Sequence, residues 1–272
     1  MYGDTVSHFA QVAAKKAKYL QQNPFGFFVS SMMAGAYVGI GIILIMTVGN
    51  AVTPEFSKVA MGLSFGVALT LVVFAGAELF TGYTMYMTLG KLSGTCSLPD
   101  LWSSWSISWV GNLAGAFLLV FLFSLGGGGG YLDDTSSIVH KVADYKINSP
   151  AIKLFVRAIL CNWLVCLALW TSARTENDAA KILLIFWCLF AFITSGFEHS
   201  VANMTVLALS LAGAHPESVS VSGMAYNLFW VTAGNIFGGV VFMAGAYWTA
   251  SKTNRISTPN SPKTELTQEN SQ

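Results

Sequence analysis

Apolar residues along this chain are gathered into six long runs that are separated by short polar segments. Each run reaches the length of about 20 residues that a helix needs to cross a lipid bilayer. The pattern therefore predicts an all-α polytopic membrane protein with six transmembrane helices. The approximate bounds of the runs are 27–48, 60–89, 105–125, 152–171, 182–211 and 225–249.

The two ends of the chain depart from this pattern. Apolar residues recur at helical spacing between residues 4 and 20, beside three lysines, which is typical of an amphipathic helix on the membrane surface. A solvated leader helix is the alternative. Pro24 ends this helix, so residues 1–26 form a surface segment and residues 27–250 a transmembrane channel domain. The tail, 251–272, is rich in Ser, Thr, Asn, Lys and Pro and is predicted to be disordered.

The two halves of the chain repeat one another. Each half holds three apolar runs, an odd number, so the halves must be inverted relative to one another in the membrane. Inverted repeats of this kind place a permeant site near the bilayer midplane, at broken helices. Chance similarity of glycine-rich apolar sequence is the alternative. The halves are about 27–125 and 152–250, and the matching motifs are GAELFT at 76–81 with GFEHSV at 196–201, and GNLAG at 111–115 with GNIFG at 234–238.

The second and fifth runs are unusual because glycine and polar residues crowd their centres. In the second run, the segment from Phe80 to Thr84 is poor helix sequence, and non-helical backbone at membrane depth is tolerated only where it lines a cavity or is buried in protein. The fifth run holds Glu198, His199 and Asn203. An ionisable residue inside a span costs at least about 2.5 kcal/mol, so it indicates a functional site. We therefore predict that runs two and five are broken helices.

Two polar side chains in these runs are the candidates to contact a permeant. His199 is a midplane imidazole that could attract a small anion and hand it a proton, or could be a neutral packing histidine. Thr81 could present its hydroxyl to the permeant or bond to its own helix. Glu78 and Glu198 occupy equivalent positions, and we interpret them as structural acceptors for the free amides of the broken helices. A proton relay is the alternative for the two glutamates.

Residues around this segment complete the predicted pore. Asn162 lies three residues before Val165 in the fourth run and can face the same cavity. Lys146 precedes that run and could draw anions into an outer vestibule, or could merely be solvated. Large apolar side chains could form hydrophobic constrictions on either side of the imidazole, although such residues are most often plain core. They are Phe65, Leu69, Leu79, Phe80 and Phe192.

Charge restricts the function classes. Only 10% of the residues are charged, against about 25% in soluble domains, and the net charge of +1 gives no reason to expect nucleic-acid binding. No P-loop, dinucleotide-binding turn or metal-ligand cluster is present in the sequence, so we expect no enzyme, cofactor or metal site. With both termini inside, nine of the 14 Lys and Arg residues fall on the inner side, which favours cytoplasmic termini.

Three motifs in the chain resemble the formate/nitrite transporter family. They are GAELFTG at 76–82, CNWLVCLA at 161–168 and GFEHSVANM at 196–204. The resemblance covers about residues 5–250. The segments 23–27, 29–39 and 126–130 are similar to the nitrite-channel branch of the family rather than to its formate or hydrosulfide branches.

The resemblance implies an aquaporin-like fold in the bacterial inner membrane. It further implies that spans two and five are broken and that the chain assembles as a homopentamer with one pore per protomer. By the family pattern, His199 would be the central pore histidine and Thr81 the hydroxyl of the loop that breaks span two. Asn162 and Lys146 would lie near the permeation path. The cytoplasmic constriction would comprise Leu69, Phe80 and Val165, and the periplasmic constriction Phe65, Leu79 and Phe192.

The substrates that the resemblance implies are nitrite and related small monovalent anions, together with protons. A channel for formate or hydrosulfide is one alternative, and an obligately proton-coupled nitrite carrier is a second. A membrane enzyme or a structural membrane protein is a third, and the paired broken helices argue against it.

Overall fold

The structure, a computed structural model, describes residues 2–252. Every regular element within this range is a helix, which confirms the predicted all-α architecture. Residues 253–272, most of the tail that we predicted to be disordered, lie outside the described range. The α-helices are α1 (Gly3–Gln22), α2 (Pro24–Ala51), α3 (Pro54–Ser64), α4 (Gly66–Ala75), α5 (Phe80–Leu92), α6 (Leu98–Leu125), α7 (Ile138–Ile147), α8 (Ala151–Ser172), α9 (Asp178–Thr194), α10 (Ser200–Ala212), α11 (Val221–Phe237) and α12 (Ala246–Ser251), with a 3-10 turn at Gly128–Gly130 and a π-helical segment at Gly238–Gly245.

Five helical stretches in residues 2–252 are long and apolar enough to cross a membrane. The predicted fifth span is not among them because it consists of two shorter helices, α9 with 17 residues and α10 with 13 residues. The predicted second span is likewise divided, since α5 is separate from the stretch that contains α3 and α4. The five stretches are Pro24–Ala51, Pro54–Ala75, Leu98–Leu125, Ala151–Ser172 and Val221–Ser251.

The connecting loops gather at two ends of the molecule. At one end, the Thr95 hydroxyl donates to the Ala10 carbonyl at 2.7 Å, which puts the loop before α6 beside α1. At the other end, the Ala214 N–H donates to the Leu132 carbonyl at 2.8 Å, which puts the loop before α11 beside the linker 126–137. Helix α2 starts directly after α1 and has 28 residues, so the two ends lie about 40 Å apart.

Helix α1 packs its apolar face against the protein itself. Phe9 stacks on Tyr86 of α5 and on Trp170 of α8, with ring centroids 5.1 Å and 5.6 Å apart. The helix that we predicted here is confirmed. Helices α5 and α8 cover its apolar face, and its position at the membrane surface stays a prediction. The buried residues of the face include Val6, Phe9, Ala13, Ala17 and Leu20.

Two helix pairs, one in each half, pack with their backbones at close range. Gly115 of α6 lies against the Met32 carbonyl of α2, and Gly238, directly after α11, lies against the Ile159 carbonyl of α8. A Cβ atom at either glycine would overlap the facing carbonyl, so a small residue is required for this approach. The two contacts occur at positions that the sequence repeat equates.

Candidate permeation site

Helical hydrogen bonding stops at two equivalent places in the chain. Gly76 follows α4 with φ of 76°, and Gly196 lies between α9 and α10 with φ of 70°. This left-handed conformation favours glycine, which has no Cβ to clash. The chain then stays non-helical until α5 begins at Phe80 and α10 begins at Ser200. Both polar runs therefore contain a helix interruption, which we call the first break (residues 76–79) and the second break (residues 195–199).

One asparagine bridges each break. Asn112 Oδ1 accepts from the Phe80 N–H at 2.9 Å, and its Nδ2 donates to the Glu78 carbonyl at 2.9 Å. Asn235 makes the same two bonds at the equivalent positions of the second break, at 2.8 Å and 3.0 Å. A carboxamide offers both a donor and an acceptor, so one side chain satisfies the N–H and the carbonyl that the missing helical turn leaves unpaired. Both asparagines are fully buried.

Each break also carries a buried carboxylate that pairs with a lysine. Glu78 accepts from Lys16 Nζ at 2.5 Å and 2.7 Å, and Glu198 accepts from Lys146 Nζ at 2.8 Å. Asn203 Nδ2 also donates to the Glu198 carboxylate, at 2.6 Å. The prediction that the glutamates accept from the free amides of the breaks is wrong. The bridging asparagines bind those amides, and a buried carboxylate needs an opposite charge to offset its desolvation.

His199 of the second break contacts Thr81, which lies in the first turn of α5 and not in the loop that the family resemblance implied. His199 Nε2 lies 3.0 Å from Thr81 Oγ1, and His199 Nδ1 accepts from the Ala202 N–H at 3.1 Å. Because Nδ1 is an acceptor, a neutral imidazole carries its proton on Nε2 and donates it to the Thr81 hydroxyl. The hydroxyl hydrogen of Thr81 is then free to donate to a third group. His199 is 4% exposed and Thr81 is fully buried, so that third group must be small.

A small cavity, which we call the chamber, lies directly beside His199. Its volume is about 10 Å³, roughly the space of one water molecule. The chamber brings together five of the six apolar residues that the sequence analysis placed in the constrictions, while Phe80 is buried but does not line it. The lining residues are Val38, Phe65, Ala68, Leu69, Leu79, Val165, Leu189, Phe192 and His199.

A second cavity, which we call the vestibule, also reaches His199. Its volume is about 760 Å³, and it extends to the end of the molecule that holds the linker 126–137, because Ser136 contributes to its wall. Lys146 lines the vestibule, and its ammonium is paired with Glu198 and is not merely solvated. Its proposed attraction for anions stays a prediction. The cationic residues of the wall are Lys58, Lys141, Lys146 and Arg157.

Asn162 links the two breaks and lines neither cavity. Its Nδ2 lies 2.6 Å from the Asn235 carbonyl, 2.9 Å from Thr84 Oγ1 and 3.3 Å from the Thr81 carbonyl. The amide therefore connects the start of α5 to the helix that carries the second bridging asparagine. Its contacts hold the backbone of Thr81 in place.

Several residues of the site escaped the sequence analysis. Asn112 and Asn235 stand in the repeated GNLAG and GNIFG motifs, and an amide that recurs inside two apolar runs was a signal for them. Lys16 gave no such signal, because its partner lies 62 residues away in the sequence. Val38 and Leu189 looked like ordinary core residues and line the chamber.

Comparisons with known proteins decide the family. The family model described as formate/nitrite transporter matches residues 4–249. The chain belongs to this family. Within the formate/nitrite transporters, it is 51% identical over 259 residues to the nitrite transporter NirC of Salmonella typhimurium, an alignment that covers 95% of this chain and 96% of the relative.

Two solved structures of formate/nitrite transporters share the fold. One, described as an FNT family ion channel, has a TM-score of 0.90 at 52% identity and covers 92% of this chain and 99% of its own. The other, described as a pentameric formate channel with formate bound, has a TM-score of 0.73 at 26% identity and covers 85% of this chain and 98% of its own. The resemblance drawn from the motifs is confirmed. The protein is a membrane anion channel or transporter and not an enzyme.

Proposed function

We propose that this protein is a nitrite channel of the bacterial inner membrane and that His199 and Thr81 together bind the permeating anion. The observation that carries the proposal is the contact of 3.0 Å between His199 Nε2 and Thr81 Oγ1. His199 lines both the apolar chamber and the vestibule with its cationic residues, and Thr81 is buried behind it and lines neither cavity. Nitrite is favoured as the main substrate because the chain is 51% identical to a nitrite transporter over almost its whole length.

The membrane topology that we propose has six crossings in an aquaporin-like inverted repeat. The two broken crossings are the α3–α5 and α9–α10 segments, which connect the two ends of the molecule as the other four do. An even number of crossings places both termini on one side, and the excess of Lys and Arg assigns that side to the cytoplasm. Assembly as a homopentamer is supported by the likeness to a pentameric formate channel.

The mechanism rests on hydrogen-bond donation inside a dry constriction. A bare anion is costly there because apolar side chains replace its hydration shell. The Thr81 hydroxyl and His199 Nε2–H are preorganised donors that offset this cost. The bond from Ala202 to His199 Nδ1 supports the role of a neutral donor. In the alternative, the imidazole first takes up a proton from solvent on Nδ1, which requires the bond from the Ala202 N–H to open. The imidazolium then gives its Nε2 proton to the anion, which crosses as the neutral acid, and the ring returns to its neutral form.

Flux into proteoliposomes tests the substrate. Nitrite, formate and hydrosulfide are compared at about pH 5.5 and about pH 7.5, with and without a proton gradient. We expect nitrite to be fastest, and acceleration under an inward proton gradient would favour the alternative in which the imidazole protonates the anion. If formate or hydrosulfide is the fastest anion, the assignment of nitrite as the main substrate is wrong. Saturation of the flux with a fixed proton stoichiometry would indicate a proton-coupled carrier. Liposomes that stay impermeable to all three anions would overturn the transport function.

The variant His199→Ala tests the role of the imidazole in the same assay. Its removal leaves the Thr81 hydroxyl without its partner and the chamber without its imidazole, so we expect nitrite flux to fall by roughly tenfold or more at both pH values. A loss of pH dependence as well would favour the proton-transfer alternative. His215→Ala is the matched control, because His215 is exposed in the loop before α11. A His199→Ala channel with unchanged flux at both pH values would sink the proposed role.

A further inference from the structure

The vestibule wall holds three cations without a carboxylate partner among the residues that the structure describes. Lys146, the fourth cation, is neutralised by Glu198 at 2.8 Å. Lys58 and Lys141 are exposed, and exposed charges are largely screened by salt beyond about 8 Å. Arg157 of α8 is only partly exposed, so its charge acts most strongly on an anion inside the vestibule.

The Arg157 guanidinium is held in place but its N–H groups are not satisfied. It lies over the Tyr145 ring, 5.3 Å from the ring centroid, and its Nη1 is buried with no hydrogen-bond partner in the described part of the chain. The Arg157 carbonyl accepts from the Glu198 N–H at 3.4 Å, which places the residue next to the second break. A buried unpaired donor is unfavourable, and an anion that reached Nη1 from the vestibule, after a small rotation of the guanidinium, would relieve that cost.

We propose that Arg157 forms an anion-binding site in the vestibule that favours planar anions with two oxygens. The guanidinium offers two parallel N–H groups at the spacing of a carboxylate, so it binds such an anion in a bidentate manner. Nitrite and formate have this shape. Chloride and hydrosulfide each have one acceptor atom, which cannot lie in line with both parallel N–H bonds of the guanidinium at once. The site rests on the proposed channel function and adds to it a selection step before His199.

Protection from an arginine reagent tests the site without transport. The full chain in detergent is treated with phenylglyoxal, and modification of each arginine is followed by mass spectrometry in the presence of nitrite, formate or chloride at equal concentration. We expect nitrite and formate to protect Arg157 several-fold better than chloride. Arg174, whose Nη1 donates to Thr5 at 2.8 Å on the α1 side, serves as the internal control and should respond equally to all three anions.

A substitution that keeps the charge tests the two-oxygen preference. Arg157→Lys retains a cation but loses the planar fork, so the nitrite concentration at half-maximal flux should rise by roughly three- to tenfold, while the chloride value stays within twofold. Lys141→Gln is the matched control, because it removes an exposed cation of the same wall. It should raise the half-maximal concentrations of nitrite and chloride by the same factor. A half-maximal nitrite concentration unchanged in Arg157→Lys would overturn the site.

The two assays separate the site from the channel function. If the wild-type chain carries formate but not nitrite, the substrate of the proposed function is wrong, and protection of Arg157 by formate still supports the site. If nitrite flux is normal and nitrite protects Arg157 no better than chloride, the two-oxygen site is wrong and the channel function stands. The protection assay uses the wild-type chain, so poor folding of a variant does not affect it.

Discussion

At the scale of single residues, one backbone amide decides which side of His199 faces the permeant. The Ala202 N–H occupies Nδ1, as a capping acceptor does at the start of a helix. The ring is therefore oriented by α10, and only Nε2 remains to contact Thr81. Phe192 lies nearly parallel to the imidazole, with centroids 6.1 Å apart, and limits its rotation. The imidazole is thus a fixed donor in a cavity that holds about one water molecule.

Two substitutions of Thr81 distinguish the role of its hydroxyl from the role of its side-chain shape. Thr81→Val keeps the volume but removes the hydroxyl that we propose donates to the permeant, and the loss of a hydrogen bond to an anion costs roughly 1–3 kcal/mol. We expect nitrite flux to fall by roughly five- to a hundredfold. Thr81→Ser keeps the hydroxyl and should retain flux within about threefold. Flux through proteoliposomes measures both, and equal flux in Thr81→Val and Thr81→Ser would contradict a role for the hydroxyl.

The sequence identified these two residues because a polar group in a long apolar run needs an explanation. It identified the glutamates for the same reason but not their partners. A buried carboxylate predicts that some cation lies nearby, yet Lys16 is one of three closely spaced lysines on a surface-facing segment. Which of them reaches Glu78 depends on how α1 docks, and only the folded chain determines that.

At the scale of helices, the start of each broken helix faces the site. Phe80 and Ser200 begin α5 and α10, and the first amides of a helix carry a partial positive charge that favours anions. The two bridging asparagines bind one amide in each helix, which holds the helix start in place. The remaining first-turn amides add to the field that His199 and Thr81 present to a permeant.

Helix α1 is fixed to the first break by the pair of Lys16 and Glu78. Lys16→Met leaves the Glu78 carboxylate buried with only the Tyr83 hydroxyl, which donates at 2.6 Å. Because the Lys16 side chain is 28% exposed, the loss is smaller than for a fully buried pair, about 1–3 kcal/mol. We expect a lower melting temperature in detergent and faster hydrogen exchange throughout α1.

The double variant Lys16→Met/Glu78→Gln is the control for this pair. A neutral amide in place of the carboxylate removes the unpaired charge, so the melting temperature should recover in part. A single Lys16→Met variant as stable as the wild type, with unchanged exchange in α1, would show that the apolar contacts of Phe9 fix this helix without the ion pair.

Periodicity predicted α1 but could not predict what covers its apolar face. A stripe of apolar residues shows that one face of a helix is removed from water. It does not show whether lipid or protein covers that face. The aromatic residue Phe9 would suit a membrane interface equally well, and its partners Tyr86 and Trp170 lie in helices far along the chain. The assignment needed the tertiary contacts.

At the scale of the whole molecule, the two groups of loops define two faces. The loop before α6 lies beside α1, and the loop before α11 lies beside the linker between the halves. If the chain crosses the membrane six times, the first group is cytoplasmic and the second is periplasmic. The positive charges predict the same assignment, although they cannot show that α9 and α10 form one crossing rather than two separate short helices.

Single cysteines labelled in intact cells test this topology. Asp133→Cys and Glu217→Cys lie on the linker side and should react with a membrane-impermeant maleimide, whereas Glu176→Cys should react only after the cells are permeabilised. All three positions are exposed. Labelling of Glu176→Cys in intact cells would contradict six crossings with cytoplasmic termini. The background variant replaces the four natural cysteines, which are all free: Cys96, Cys161, Cys166 and Cys188.

The bridging asparagines and ion pairs are duplicated in both halves, but the two groups that we propose bind the anion are not. The residue equivalent to His199 in the first half is Leu79, and the residue equivalent to Thr81 in the second half is Val201. The residues that support the breaks are thus a different set from the residues that we propose contact the permeating anion. A channel built in this way can change what it carries by exchanging a few lining positions while its architecture stays intact, which makes these positions a natural target for redesigning its selectivity.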